Sequence, residues 1–240
     1  MFLPHTNNPA RSSDQTYRRA FTLLELCVAI VTAFILICLA GGFLVRSGHH
    51  RAYSYCGNNL RQLSLSFLIW SGDNSDRLPM QVSTNQGGSK EFINPNEVFR
   101  HFQTLSNELN TPIVLVCSEE RARRPSTNFL EDFNNSHISY FLNLDADEKL
   151  PSALLSGDRF ITNDLPLKNG TMVLVTNQSV RWTKGIHQMR PLPKYLGVFP
   201  RHAWGNLAVR LDHTVARLDS ADLAKFLAES GVATNRLLVP

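Results

Sequence analysis

Twenty consecutive residues, Leu26 to Val45, carry no ionisable group except the thiols of Cys27 and Cys38, and nothing else in the chain constrains its folding as strongly. As a helix rising about 1.5 Å per residue, such a stretch spans roughly 30 Å, the hydrocarbon thickness of a bilayer. Residues 1–20 are polar, with Arg11, Arg18 and Arg19 against the single acid Asp14. A basic flank ahead of one span predicts a cytoplasmic N-terminus, with residues 46–240 on the far side of the membrane. Two plain readings fit. Cys38-Leu39-Ala40 is a small-x-small site at which a signal peptide could be removed, and the same segment could stay as an uncleaved single-pass anchor. A lipoprotein fits less well, because bulky Ile37 precedes Cys38. The mean hydropathy of −0.15 conceals this division between an apolar segment and a polar remainder.

Neither plain reading has a use for Glu25. On insertion scales a carboxylate in an apolar helix costs about 2.5–3.5 kcal/mol at the membrane centre, so it calls for a cationic partner. The nearest candidate is an α-amino group at the start of a neighbouring helix. A cut after Ala20 would place one on Phe21, and Glu25 of one subunit could then neutralise the terminus of the next. Arg18-Arg19-Ala20-Phe21-Thr22-Leu23-Leu24-Glu25-Leu26 closely resembles the prepilin cleavage and methylation motif of the type IV pilin and type II secretion pseudopilin family. Ala20 stands where that family usually has glycine. The resemblance implies cleavage between Ala20 and Phe21 by a prepilin peptidase, N-methylation of Phe21, and an assembly role for Thr22 and Glu25. The implied partners are other pilin or pseudopilin subunits, an inner-membrane assembly platform and membrane lipid. Many relatives have a proline near the outer end of the span, where this chain has Gly41-Gly42. Each glycine softens a helix by about 1 kcal/mol relative to alanine, although close packing of small residues explains the pair equally well.

Beyond Arg51, Tyr53, Cys56, Leu60, Leu63, Phe67 and Trp70 recur at helical intervals and make one apolar seam, with Asn58, Asn59, Arg61, Gln62 and Ser64 on other faces. Cys56-Gly57-Asn58-Asn59-Leu60-Arg61-Gln62-Leu63 resembles the C-x-N-N-L-R-Q-L stretch that follows the span in a large bacterial subgroup of pilin-like proteins. Gly72 to Pro79 is similar to the turn that follows it. The chain therefore divides into a leader (1–20), a membrane helix (21–45), its amphipathic continuation (46–72) and a head domain (73–240). The expected fold is α+β, a long N-terminal helix with a small antiparallel sheet and extra helices. In the head, Asn94-Pro95-Asn96-Glu97 predicts a capped helix start, with Val98, Phe102, Leu105 and Leu109 on its buried face. Strands are expected at Thr111–Cys117, His137–Leu144, Thr171–Thr176 and Ser179–Trp182, and a surface connection at 185–200. A hairpin over Asn206–Leu218 should turn at Asp212-His213 and pair Val209 with Ala216 and Leu207 with Leu218. Leu223, Phe226 and Leu227 mark a last helix, ending near Gly231.

His202 followed by Asp212 and His213 resembles a His-x9-Asp-Gly signature at the C-terminal end of many such chains, with His213 in place of the glycine. It is read as a structural hairpin motif, since no known metal-ligand spacing supports a site there. Asp145, Asp147 and Glu148 fit either a calcium loop or a solvated turn, and the missing glycine and ligand alternation favour the turn, so no cofactor is expected. Leu144–Glu148 and Leu155–Arg159 are also familiar from the subgroup, without an assignable role. Cys27 and Cys38 belong to the span and should pack as small apolar side chains. Cys56 and Cys117 fall outside it. Relatives carry V-C-P-x-D where this chain has Val116-Cys117-Ser118-Glu119-Glu120, and the resemblance implies a Cys56–Cys117 disulfide from the long helix to the first head strand. Four cysteines in 240 residues exclude a disulfide-dense miniprotein, and a formal charge of +4 is too small to indicate nucleic acid. The basic run Arg121, Arg123 and Arg124 lies beside Glu119 and Glu120 and reads as a solvated loop. No nucleophile elbow, zincin motif, P-loop or dinucleotide fingerprint occurs, so a structural subunit is expected rather than an enzyme. The rival expectation is a single-pass anchored binding module that never polymerises.

Overall fold

The computed structural model describes residues 22–120, 122–130, 132–166, 171–175, 178–184 and 206–240, without the side chains of 41–53. The chain divides into two compact units, Met1–Arg46 and Ser47–Pro240. Helix α1 (Leu23–Asp73) contributes to both and is helical through Gly41-Gly42. Its Leu23–Ala40 segment is long and apolar enough to cross a membrane, and its side chains are exposed among the described residues.

In the second unit α1 buries the expected seam from Cys56 to Trp70, the Tyr53 side chain lying outside the described residues. Cys56, Leu60, Leu63 and Phe67 are fully enclosed and Trp70 nearly so. The helix stops where Gly72 and Asn74 disfavour its continuation. The Asn74 side chain donates to the Trp70 carbonyl, and Ser75 and Asp76 turn the chain with positive φ. A 3-10 turn at Pro95–Glu97 then leads into α2 (Val98–Thr104) and α3 (Ser106–Leu109). Val98, Phe102, Leu105 and Leu109 all face the core.

The main sheet is antiparallel, in the order β4 (Met172–Val175), β8 (Thr234–Leu238), β1 (Tyr140–Asn143), β2 (Leu154–Asp158), β6 (Asn206–Arg210), β7 (Val215–Leu218). Two short strands, β3 (Ile161–Thr162) and β5 (Arg181–Trp182), pair separately. Successive side chains of a strand point to opposite faces, and here each face has its own core. Tyr140, Leu142, Leu155, Leu207, Val209 and Leu238 join the α1 seam and the α2 face. Phe141, Leu154, Ala208, Met172, Leu174 and Leu237 join Leu223, Phe226 and Leu227 of α4 (Ser220–Ala228). Asp219 caps α4 by accepting from the Ala221 and Asp222 amides.

Four expectations are corrected. Thr111–Cys117 is not a strand; Pro112–Leu115 forms a 3-10 turn, begun by Pro112 and by the Thr111 hydroxyl, which accepts from the Ile113 amide. The apolar run is buried as a turn because Asn59 and Ser139 satisfy its Val116 and Leu115 carbonyls. Asn59 and Ser64, expected on faces other than the seam, are themselves buried on α1. The hairpin register is one residue away from the expected one, with Val209 opposite Val215 and Leu207 opposite Arg217. The loop has three residues, Leu211-Asp212-His213, and His213 takes the left-handed conformation (φ 64°) that such loops need at their last position. Finally, β2 and β8, both interior strands, had no counterpart in the sequence reading. The expected connection at 185–200 lies outside the described residues.

Cys56 and Cys117 are joined in a disulfide with Cα atoms 5.3 Å apart, tying α1 to the chain just after the 3-10 turn. A cross-link across a sequence separation of 61 is worth about 4 kcal/mol in the chain-entropy account. Replacing both cysteines by alanine is expected to lower the urea midpoint of the second unit correspondingly. An unchanged midpoint would show that the seam alone holds α1 in place.

Candidate functional site

Helix α1 opens with a reciprocal cap. The Thr22 amide and hydroxyl donate to Glu25 Oε2 at 3.0 and 3.1 Å, and the Glu25 amide donates to Thr22 Oγ1 at 3.3 Å. This is the capping-box arrangement, in which two of the helix's orphan amides are satisfied by each other's side chains. The carboxylate also lies where the helix dipole favours negative charge. Glu25 thus has an intrachain role beside the docking role that the resemblance implies, and it remains exposed at the helix end. Leu23 and Leu24, immediately after the cap, are 81% and 73% exposed, and Cys27 and Cys38 are free and exposed too. An all-apolar helical surface with its first polar groups tied to one another suits a hydrocarbon environment. Thr32 follows the same rule, its hydroxyl donating back to the Val28 and Ala29 carbonyls at 3.0 Å. Ala20 and Phe21 lie outside the described residues.

The second cluster is the hairpin motif. Asp212 Oδ1 accepts from the Thr214 amide at 2.9 Å and closes the loop. His213 reaches α1, where its Nδ1 lies 2.8 Å from Ser64 Oγ. The Ser64 hydroxyl donates to the Arg61 carbonyl at 3.0 Å, so His213 Nδ1 carries the proton and Ser64 accepts it. The loop amides of Leu211 and Asp212 donate to the carbonyls of Ala153 and Pro151. Asp212 and His213 are therefore engaged in holding the hairpin against α1 and the turn before β2. His202 lies outside the described residues, and among the described residues no group of three or more His, Cys, Asp or Glu side chains could hold a metal.

Several of the other charged residues are engaged structurally. Asp145 receives Arg236 of β8 through Nε and Nη2 at 2.9 and 2.6 Å, with the Arg236 amide donating at 2.7 Å. Asp147 caps the Lys149 amide at 3.0 Å. Arg123, expected in a solvated loop, is half-buried. It donates to the carbonyls of Asn135, Ile138 and Pro240 and pairs with Glu120, which also accepts from Arg159 at 2.7 Å. Arg121 lies outside the described residues.

The role of Leu155–Arg159 is also visible. The Ser156 hydroxyl donates to the Phe141 carbonyl at 2.6 Å, and Asp158 Oδ2 accepts from the Leu207 amide at 2.6 Å. A Cβ on Gly157 would come within 2.7 Å of the Leu207 carbonyl oxygen and 2.9 Å of Phe141, so only glycine fits between β1 and β6. Burial pushes the phenol of Tyr140, opposite Asp158, well above its ordinary range, and the nearby carboxylate adds to the effect.

Ser64→Ala would leave His213 Nδ1–H facing a methyl group on a fully buried part of α1. The expected cost is about 1–2 kcal/mol of stability in the second unit, measured by urea denaturation. A variant as stable as the parent would show that the hairpin does not depend on this bond. Comparison with known proteins finds no matching family model, no matching curated protein and no matching solved structure.

Proposed function

We propose that this chain is a structural, pilin-like subunit. It is inserted as a prepilin with residues 1–20 in the cytoplasm, cut between Ala20 and Phe21 by a prepilin peptidase, and N-methylated on Phe21. It then assembles into a type II secretion pseudopilus or a type IV pilus-like filament. Before assembly it is held in a bacterial cytoplasmic membrane by α1, with the second unit on the outer side. The observation that carries this reading is the position of the Thr22–Glu25 cap. It lies directly after Arg18-Arg19-Ala20-Phe21 and at the head of an apolar helix whose residues are exposed among the described residues. The carboxylate is four residues along the chain from the amine that cleavage would create. Both of its bonds to Thr22 use Oε2. The assembly partners are further subunits, an inner-membrane platform and lipid, and the chain supplies no catalysis of its own.

The same cap supports a second reading. Because Glu25 satisfies its own helix start, a single-pass anchored module that never polymerises would also benefit from it, with no partner subunit needed.

Two substitutions separate the readings. Glutamine can keep the capping bond to the Thr22 amide but cannot neutralise an amine. On the docking account both Glu25→Ala and Glu25→Gln insert normally and fail to form filaments, as seen by electron microscopy of sheared surface fractions. Normal filaments from Glu25→Gln would assign the residue to capping alone and remove the docking mechanism.

A further inference from the structure

Residues 83–93 cross the outside of α2 and are held by two titratable side chains. His101 is fully buried on α2, and both of its ring nitrogens are taken by this segment. Nε2 lies 2.7 Å from the Phe92 carbonyl and Nδ1 lies 2.7 Å from the Ser89 hydroxyl. A carbonyl only accepts, so Nε2 carries the proton, Nδ1 is bare, and the Ser89 hydroxyl donates to it. At the other end Glu91 folds back. Its carboxylate accepts from the Ser83 hydroxyl and the Thr84 amide, both at 2.8 Å. Backbone bonds complete the attachment, from Ser89 to Pro79 and from Lys90 to Val82.

We propose that residues 83–93 form an acid-released strap, latched to α2 by neutral His101 and closed on itself by ionised Glu91, which proton uptake at these two groups sets free. A proton added to His101 lands on Nδ1, the only ring position left. It meets the proton of the Ser89 hydroxyl, which must rotate away, and it places a charge where no water reaches. The surroundings offer that charge no counter-ion among the described residues. On α2 and the turn before it, Arg100 and Glu97 pair with each other at 3.3 Å on the exposed side, and Arg100 also lies over the Phe92 and Phe99 rings. On the strap, Lys90 is exposed and Glu91 is turned into Ser83 and Thr84. The 3-10 turn Pro79–Gln81 carries no charged residue.

Burial accordingly lowers the His101 pKa from 6.5 to about 4, and the Thr84 amide and Ser83 hydroxyl hold the Glu91 carboxyl below its usual value. In both cases the closed form binds protons less readily than the open one. Its stability is complete above the open-state pKa and falls as the pH drops, through the window 6.5 to 4 for His101 and below about 4.5 for Glu91. Once open, the strap uncovers the His101 face of α2 and presents Phe92 beside the already exposed Ile93.

Hydrogen–deuterium exchange of the full chain in bilayer nanodiscs tests this, with intrinsic rates corrected at each pH. Between pH 7.5 and 5.0 the opening constant of the Ser89 and Lys90 amides is expected to rise about 30-fold, from the linkage of a group titrating at 6.5 when open and at 4 when closed. Amides of β1 and β2 should change by less than about threefold, since the event is local. In His101→Gln the step should vanish, while Glu91→Ala should raise opening at both pH values and keep the step. Equal opening at the two pH values in the wild type overturns the proposal. So does an equal rise in β1 and β2, which would be global unfolding, or a full step in His101→Gln. If His101→Gln does not fold, the wild-type comparison of strap against sheet decides alone.

Discussion

The second unit is built against about twenty residues of α1, and its first core exists only because one side of that helix is apolar at helical spacing. Cys56, Leu60, Leu63 and Phe67 provide the surface on which Tyr140, Leu142, Leu207 and Val209 close. Burying each such side chain is worth about 1.5–3 kcal/mol, so the seam outweighs any single polar contact in the unit. The polar contacts decide position instead. The disulfide fixes α1 beside the 3-10 turn, Asn59 reaches the Val116 carbonyl, and Ser64 receives His213 from the hairpin. Three separate parts of the chain are thus registered on one helical strip. The opposite sheet face has its own helix, α4, and its own core, which explains why the interior strands are buried on both sides.

The earlier part of α1 obeys a different solvent. Leu23–Ala40 is exposed among the described residues, and the polar groups at its start and within it are tied locally, Thr22 with Glu25 and Thr32 with its own backbone. A surface of this kind is costly in water and natural in hydrocarbon or against identical helices. The capping box changes how Glu25 is understood. Its cost in an apolar setting is offset in part within its own chain.

Much of this was legible from residue spacing. The seam was readable because its intervals are helical, and the α2 and α4 faces for the same reason. The hairpin was located but misregistered by one residue, because Asp212-His213 suggested a two-residue turn. The left-handed φ of His213 makes the loop three residues long, and histidine does not advertise that conformation as glycine would. The two missed strands of the main sheet have a common cause. In β2, Ser156-Gly157-Asp158 is polar yet fully buried, each residue being matched to a backbone group or a tight gap on a neighbouring strand. In β8, Asn235 and Arg236 interrupt the apolar pattern, and Asn235 is buried by accepting from Asn143 at 2.8 Å. Periodicity cannot find strands whose polar residues are satisfied by partners far away in sequence. The subgroup-like stretch Leu155–Arg159 was the one available signal for β2. Glu25 stands out in the sequence as a carboxylate in an apolar helix, and its local partner Thr22 was legible too, as a Thr-x-x-Glu pattern ahead of an apolar run.

The central claim is that the chain is processed at the start of α1 and functions from that new terminus. Mass spectrometry of the N-terminal peptide of the protein isolated from its own membranes tests it most directly. The account predicts a chain beginning at Phe21 with a methyl group on its amine. A chain still beginning at Met1, or one beginning at Gly41 after removal of the whole apolar segment, would contradict it.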